Sequence, residues 1–172
     1  MSVVPGLQLA APRDEPTLRE ALREAVDVSD GPTVVRFPKG ALAPDIPALE
    51  RRGRLDVLRR AEPGGRSGGE VLLVAVGSMV PMCLAVAERA ADHGIGVTVV
   101  DPRWVLPVAP ELVELAQQHR LVVTVEDGGR AGGVGSMVTR ALQDADCDVP
   151  VRTLGLPPVS YTHLTLPTIL RV

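Results

Sequence analysis

Aromatic residues are almost missing from this chain: one Trp, one Tyr and one Phe among 172 residues, or 2%. A core with so few rings must be filled by Val, Leu, Ile and Ala, which suits the continuous apolar strands of a parallel sheet covered by helices. Cysteine is scarce too. Cys83 and Cys147 stand far apart, with no CxxC and no histidine at ligand spacing, so neither a zinc site nor a disulfide framework is indicated. A reducing cytoplasm is the natural compartment. No stretch approaches the roughly 18 apolar residues of a spanning helix, and MSVVPGLQLA has neither a positive n-region nor a long apolar h-region. A soluble protein with no membrane partner is expected. Strong net charge is also absent: a formal −3 gives no global pull towards nucleic acid or anionic lipid, so any anion site must be local. The length suffices for one core, or for one domain plus a piece of another, and the second is expected.

What is present is a regular alternation. Asp14 is placed to cap a helix with Pro16 in its first turn, followed by an apolar stripe of Leu18, Ala21, Leu22, Ala25 and Val26. Asp30-Gly31-Pro32 stops that helix before a strand over 33–37. One helix and one strand cannot enclose a core, so this segment must dock on something larger. Proline, arginine and glycine then dominate up to Pro63-Gly64-Gly65-Arg66-Ser67-Gly68-Gly69, and 46–69 is read as an interdomain linker. Arg51, Arg52, Arg54, Arg59 and Arg60 lack interleaved aromatics and are diluted by Glu50, Asp56 and Glu62, which argues for a solvated connector, not a nucleic-acid surface. From Val71 the spacing predicts strands at 71–76, 97–100, 121–125 and 151–154, with helices at about 80–93, 110–119 and 136–144. Ser78 and Pro110 mark helix starts. The fold class is α/β: a three-layer, mostly parallel sheet with helices on both faces, preceded by a helix-strand remnant.

Several candidate sites compete with plainer readings. Gly128 to Gly135 lies between a strand and a helix, where phosphate loops are found. Yet Val138 occupies the third glycine position of a GxGxxG begun at Gly133 and Gly135, Glu126 and Asp127 would repel a pyrophosphate, and no GxxxxGK[ST] occurs. His93 and His119 fall at helix ends, where an imidazole complements the dipole. Cys83 reads as a small buried hydrophobe and Trp104 as a packing anchor in a loop. The stretch GPTVVRFPKG is sharper. At period two Arg36 points with Val34, opposite to Val35 and Phe37, towards a face covered by another domain. Lys39 follows Pro38 at the strand's carboxyl end, where ligands of open α/β sheets gather, so Arg36 and Lys39 are candidate ligands for a phosphate or carboxylate.

AAPRDEPTLREALREA, GPTVVRFPKG, VLLVAVGSM, GIGVTVVDPRWVLP and VVTVEDGGRAGGVGS occur in an order and spacing similar to the C-terminal part of the 1-deoxy-D-xylulose-5-phosphate synthase family. That resemblance, over most of residues 3–157, implies a transketolase-like transferase dependent on thiamine diphosphate and Mg2+. It joins pyruvate, with loss of carbon dioxide, to glyceraldehyde 3-phosphate for isoprenoid and thiamine precursor synthesis. On this comparison 1–45 end a pyrimidine-binding domain, 46–69 link, and 70–157 form an incomplete transketolase C-terminal domain. The family's Arg-Tyr-Pro-Arg-Gly motif places Arg36 at the first arginine, Phe37 at the tyrosine and Lys39 at the phosphate-holding second arginine. The resemblance puts the cofactor, metal and catalytic residues in upstream sequence, so no catalytic, cofactor-binding or metal residue is assigned here, and the piece is expected to be inactive alone. Its partners are the missing N-terminal domains, a phosphosugar substrate and, at full length, a second copy in a homodimer. Residues 158–172, with SYTHLTLPT, resemble a translated sequencing adapter and are expected to be a non-native tail. Other readings are a different transketolase-like protein, such as a 2-oxo-acid dehydrogenase β-subunit, and a non-catalytic α/β module binding a nucleotide or partner through the loop after Val125.

Overall fold

The computed structural model describes residues 4–39, 43–61 and 70–157. The stretches 1–3, 40–42, 62–69 and 158–172 lie outside them, and with these Gly40, the glycine-rich part of the predicted linker and the predicted non-native tail. The first elements are β1 (Gln8–Ala10), α1 (Glu15–Asp27) and β2 (Thr33–Val35). Asp14 caps α1 as its residue type predicts: its carboxylate accepts from the Thr17 amide, and the Thr17 hydroxyl meets the Asp14 and Arg13 amides. The apolar stripe is only half used. Ala21 is buried, while Leu22 and Val26 are 48% and 84% exposed, because α1 leans on its sheet through Thr17 and Ala21.

Two strands join what the sequence reads as linker to the main sheet. The segment 50–59 is a hairpin, β3 (Glu50–Arg52) and β4 (Leu55–Arg59), and not a solvated connector. Both faces of β4 are covered: Leu55 and Val57 join the cluster of Leu112, Val138 and Leu142, Leu58 joins that of Val80, Cys83 and Ala87, and Arg51 meets the buried Asp56, with Gly53 taking a positive φ at the two-residue turn. The arginines masked a strand.

The remaining elements are β5 (Val71–Ala75), a 3₁₀ turn (Gly77–Met79), α2 (Val80–Asp92), β6 (Val97–Asp101), β7 (Trp104–Leu106), α3 (Pro110–Ala116), β8 (Leu121–Gly129), α4 (Val134–Asp144) and β9 (Val151–Leu156). The larger sheet runs β3-β4-β6-β5-β8-β9, parallel through β6-β5-β8-β9 and antiparallel at the hairpin. Leu72 and Val74 face α3 and α4, with Leu112, Leu115, Val138 and Leu142, while Leu73 and Ala75 face α2, with Val80, Cys83 and Ala87. These are the three predicted layers. Each fully buried Val or Leu contributes roughly 1.5–3 kcal/mol.

A second, three-stranded sheet has the order β2-β1-β7. Here β7 pairs antiparallel with β1, matching Leu9 to Leu106 and Ala10 to Trp104. Trp104 is therefore a strand residue, not a loop anchor, and it is buried with Ala10 and Ala21. The helix-strand remnant docks by sharing a sheet with the later half of the chain.

Candidate functional site

The carboxyl ends of β2, β5 and β8 meet at the seam between the two sheets. Val34 packs with Leu9, Val76 and Val105, whereas Val35 packs with Ala10, Ala21 and Trp104, so the period-two reading of this strand is correct. Arg36 continues on the Val34 side. Its amide donates to the Ala10 carbonyl at 2.8 Å, prolonging the ladder, and its Nη1 donates to Asp127 Oδ1 at 2.5 Å. The other oxygen, Asp127 Oδ2, accepts from Ser78 Oγ at 3.1 Å. Ser78 was expected to cap a helix; it sits inside the 3₁₀ turn, α2 has no side-chain cap, and the hydroxyl serves Asp127 instead. Gly77 makes that turn possible. Its φ is +53°, and a Cβ there would stand 3.1 Å from the Ala11 carbonyl oxygen.

Arg36 also lines a cavity of about 210 Å³ with Leu9, Leu106, Glu126, Gly133 and Met137. Lys39 is exposed and, among the described residues, makes no ion pair with any carboxylate. The two predicted cations are thus used differently: Arg36 is drawn to the seam and Lys39 stands in solvent.

The glycine-rich loop is explained from within. Glu126, 7% exposed, accepts from the Val134 amide at 3.0 Å and the Gly135 amide at 2.9 Å, placing a carboxylate on the N-terminus of α4. A Cβ on Gly133 would lie 2.4 Å from a Glu126 oxygen, so glycine is required for that approach. The position where a phosphate would sit is already held by the chain's own anion. This opposes nucleotide binding through the loop, which the sequence offered only as an alternative, and it engages Glu126, one of the two carboxylates expected to repel a pyrophosphate.

The largest polar feature was not legible in the sequence. Arg13 Nη1 donates to Asp56 Oδ2 on β4 and to Asp101 Oδ2 on β6, both at 2.8 Å, and its Nε donates to the Ile46 carbonyl. Burial pushes the Asp101 carboxyl up to about 6, with the charge of Asp56 adding to the effect against Arg13. Asp56 is also penalised by burial, but hydrogen bonds from Arg51 and Arg13 hold it below the usual carboxylate range. Arg51 joins Asp56 to Glu20, Arg103 bonds Glu24 at 2.7 Å, and Trp104 Nε1 donates to Glu24. Ion pairs of this kind, with Arg52 and Arg60 on Glu50, account for most of the arginine-rich run.

The histidines and cysteine have structural surroundings. His93 is the C-terminal cap of α2; α3 stops at Ala116, short of His119, whose Nδ1 donates to the Leu115 carbonyl and whose Nε2 meets the Thr98 hydroxyl. Burial raises the Cys83 thiol to about 11. Among the described residues no group of three His, Cys, Asp or Glu is placed to hold a metal ion. With the α4 N-terminus filled as well, the described residues do not fit thiamine diphosphate with Mg2+.

A family model described as transketolase, C-terminal domain, matches residues 63–172, more than half of the chain. The chain belongs to the transketolase C-terminal domain family. The match includes 158–172, outside the described residues. This transketolase C-terminal domain chain is 61% identical over 163 residues to the 1-deoxy-D-xylulose-5-phosphate synthase of Parafrankia sp., covering 95% of the chain and 25% of that relative. Synthases of Mycobacteroides abscessus and Mycobacterium tuberculosis are 58% and 57% identical, with the same coverage. The chain thus spans about a quarter of the length of the curated relatives it matches. Among solved structures, a split-gene transketolase described as an inactive β4 tetramer is 29% identical, with a TM-score of 0.77 over 98% of this chain and 54% of that one. A transketolase mutant from Pichia stipitis, at 16% identity and a TM-score of 0.53 over 71% of this chain and 18% of that one, shares the fold.

Proposed function

We propose that this chain is the C-terminal part of a 1-deoxy-D-xylulose-5-phosphate synthase, a transferase condensing pyruvate with glyceraldehyde 3-phosphate. The observation that carries the reading is the 57–61% identity to such synthases over 95% of the chain. It favours the synthase over a 2-oxo-acid dehydrogenase β-subunit. Within this assignment, Arg36 and Lys39 neutralise the phosphate of the triose. A sugar phosphate suits Arg36 at a strand's carboxyl end beside a cavity, and Lys39 contributes charge without the bidentate fork of an arginine. Thiamine diphosphate and Mg2+ belong to the remainder of the parent protein, a cytoplasmic homodimer in this reading, with the residues that hold them.

The division of labour gives a direct test. The chain alone, with thiamine diphosphate and Mg2+ added, releases no carbon dioxide from pyruvate, while the full-length gene product forms 1-deoxy-D-xylulose 5-phosphate. Pyruvate decarboxylation by the isolated chain would refute the division, and a full-length product that joins other substrates would refute the assignment. The solved relative described as the inactive β4 tetramer of a split-gene transketolase supports the first expectation.

A further inference from the structure

Arg36 reaches into the seam with only Nη1 committed among its described hydrogen bonds, which leaves Nε and Nη2 for another acceptor. The carboxylate it meets is itself fixed. Asp127 gives one oxygen to Arg36 and the other to Ser78, and the turn carrying Ser78 is tied to β8 by the Val76 amide, which donates to the Val125 carbonyl at 2.9 Å. Three residues from three strand ends, 91 and 49 positions apart along the chain from Asp127, therefore form one connected unit. Arg36 and Asp127 remain 39% and 26% exposed, so an anion has access to what Asp127 leaves uncovered.

We propose that Asp127, braced by Ser78, is the positioning residue for Arg36, so that the larger sheet sets the phosphate affinity of a cation supplied by the smaller one. This rests on the reading of Arg36 as a substrate ligand. An unpaired arginine loses side-chain freedom when it takes an anion; here that freedom is already lost to Asp127. The carboxylate also repels the incoming phosphate, but solvent at this half-exposed site screens that repulsion more than it weakens the direct contact. Positioning outweighs repulsion.

In the full-length enzyme, Asp127→Asn raises KM for glyceraldehyde 3-phosphate about fivefold, and Ser78→Ala about twofold, with kcat and the pyruvate KM unchanged. Asp127→Glu restores part of the loss, and Asp127→Asn adds nothing in an Arg36→Ala background. Phenylglyoxal labelling of Arg36, read by mass spectrometry, becomes faster in Asp127→Asn and is slowed less by glyceraldehyde 3-phosphate. If Arg36→Ala leaves the triose KM unchanged, the substrate reading of Arg36 fails. If Arg36→Ala raises it while Asp127→Asn leaves it unchanged or lowers it, the positioning inference alone is overturned. Should Asp127→Asn not fold, Ser78→Ala decides by the same labelling and KM measurements.

Discussion

Two arginines leave the N-terminal segment for carboxylates of the six-stranded sheet, and their surroundings are opposite. Arg13 is 5% exposed and shared between two fully buried aspartates, with a backbone carbonyl on its Nε. Arg36 is 39% exposed, meets one carboxylate end-on, and borders a cavity. The first is closed on all sides, so its energy goes into holding the sheets together; the second keeps donors in reserve. The same residue type thus serves as a fastener at one point of the seam and, in the proposed reading, as a phosphate receptor at another, with burial marking the difference.

Removing the fastener should have the largest effect. Arg13→Ala leaves Asp56 and Asp101 buried without their shared counter-ion, and unfolding in urea should show a loss of about 3–5 kcal/mol. An unchanged midpoint would break the contrast. Next comes pH. The folded Asp101 carboxyl lies near 6, above its ordinary 3.8, so the folded state holds the extra proton and stability falls as pH rises from about 4 through about 6. Asp56, held low, contributes in the other direction and only below that window. Melting temperatures of Asp101→Asn should lack the decline seen in the parent chain over this interval. The smallest effect belongs to the receptor: Arg36→Ala should cost about 0.5 kcal/mol or less, since a half-exposed pair is screened by solvent. A loss comparable to that of Arg13→Ala would make Arg36 a second fastener.

The parallel half of the larger sheet was legible because its strands are largely apolar, β-branched runs bounded by glycine at one end, such as VLLVAVG and GVTVV. The hairpin was not, because Arg51, Arg52, Arg54 and Arg59 surround a short strand, 55–58, that is buried on both faces yet carries Asp56; the Gly53-Arg54 turn before it was the available signal. β1 and β7 are three residues each and owe their existence to one another, which no local pattern announces. At the site, Arg36 could be read from strand alternation. Asp127 and Ser78 could not, since an ion pair across 91 residues leaves no trace in local spacing, and Ser78 before an apolar helix looks like a cap. Arg13, paired at separations of 43 and 88, was hidden for the same reason.

The interleaving of strands across the seam matters to anyone who trims the gene. A cut at residue 63, where the family match begins, would discard β1, α1 and the hairpin together. Asp101 would keep its place inside the protein with no cation beside it, Trp104 would lose Ala10 and Ala21, and β6 would become a bare edge open to intermolecular pairing. The stretch matched as a family domain is shorter than the stretch that closes this core.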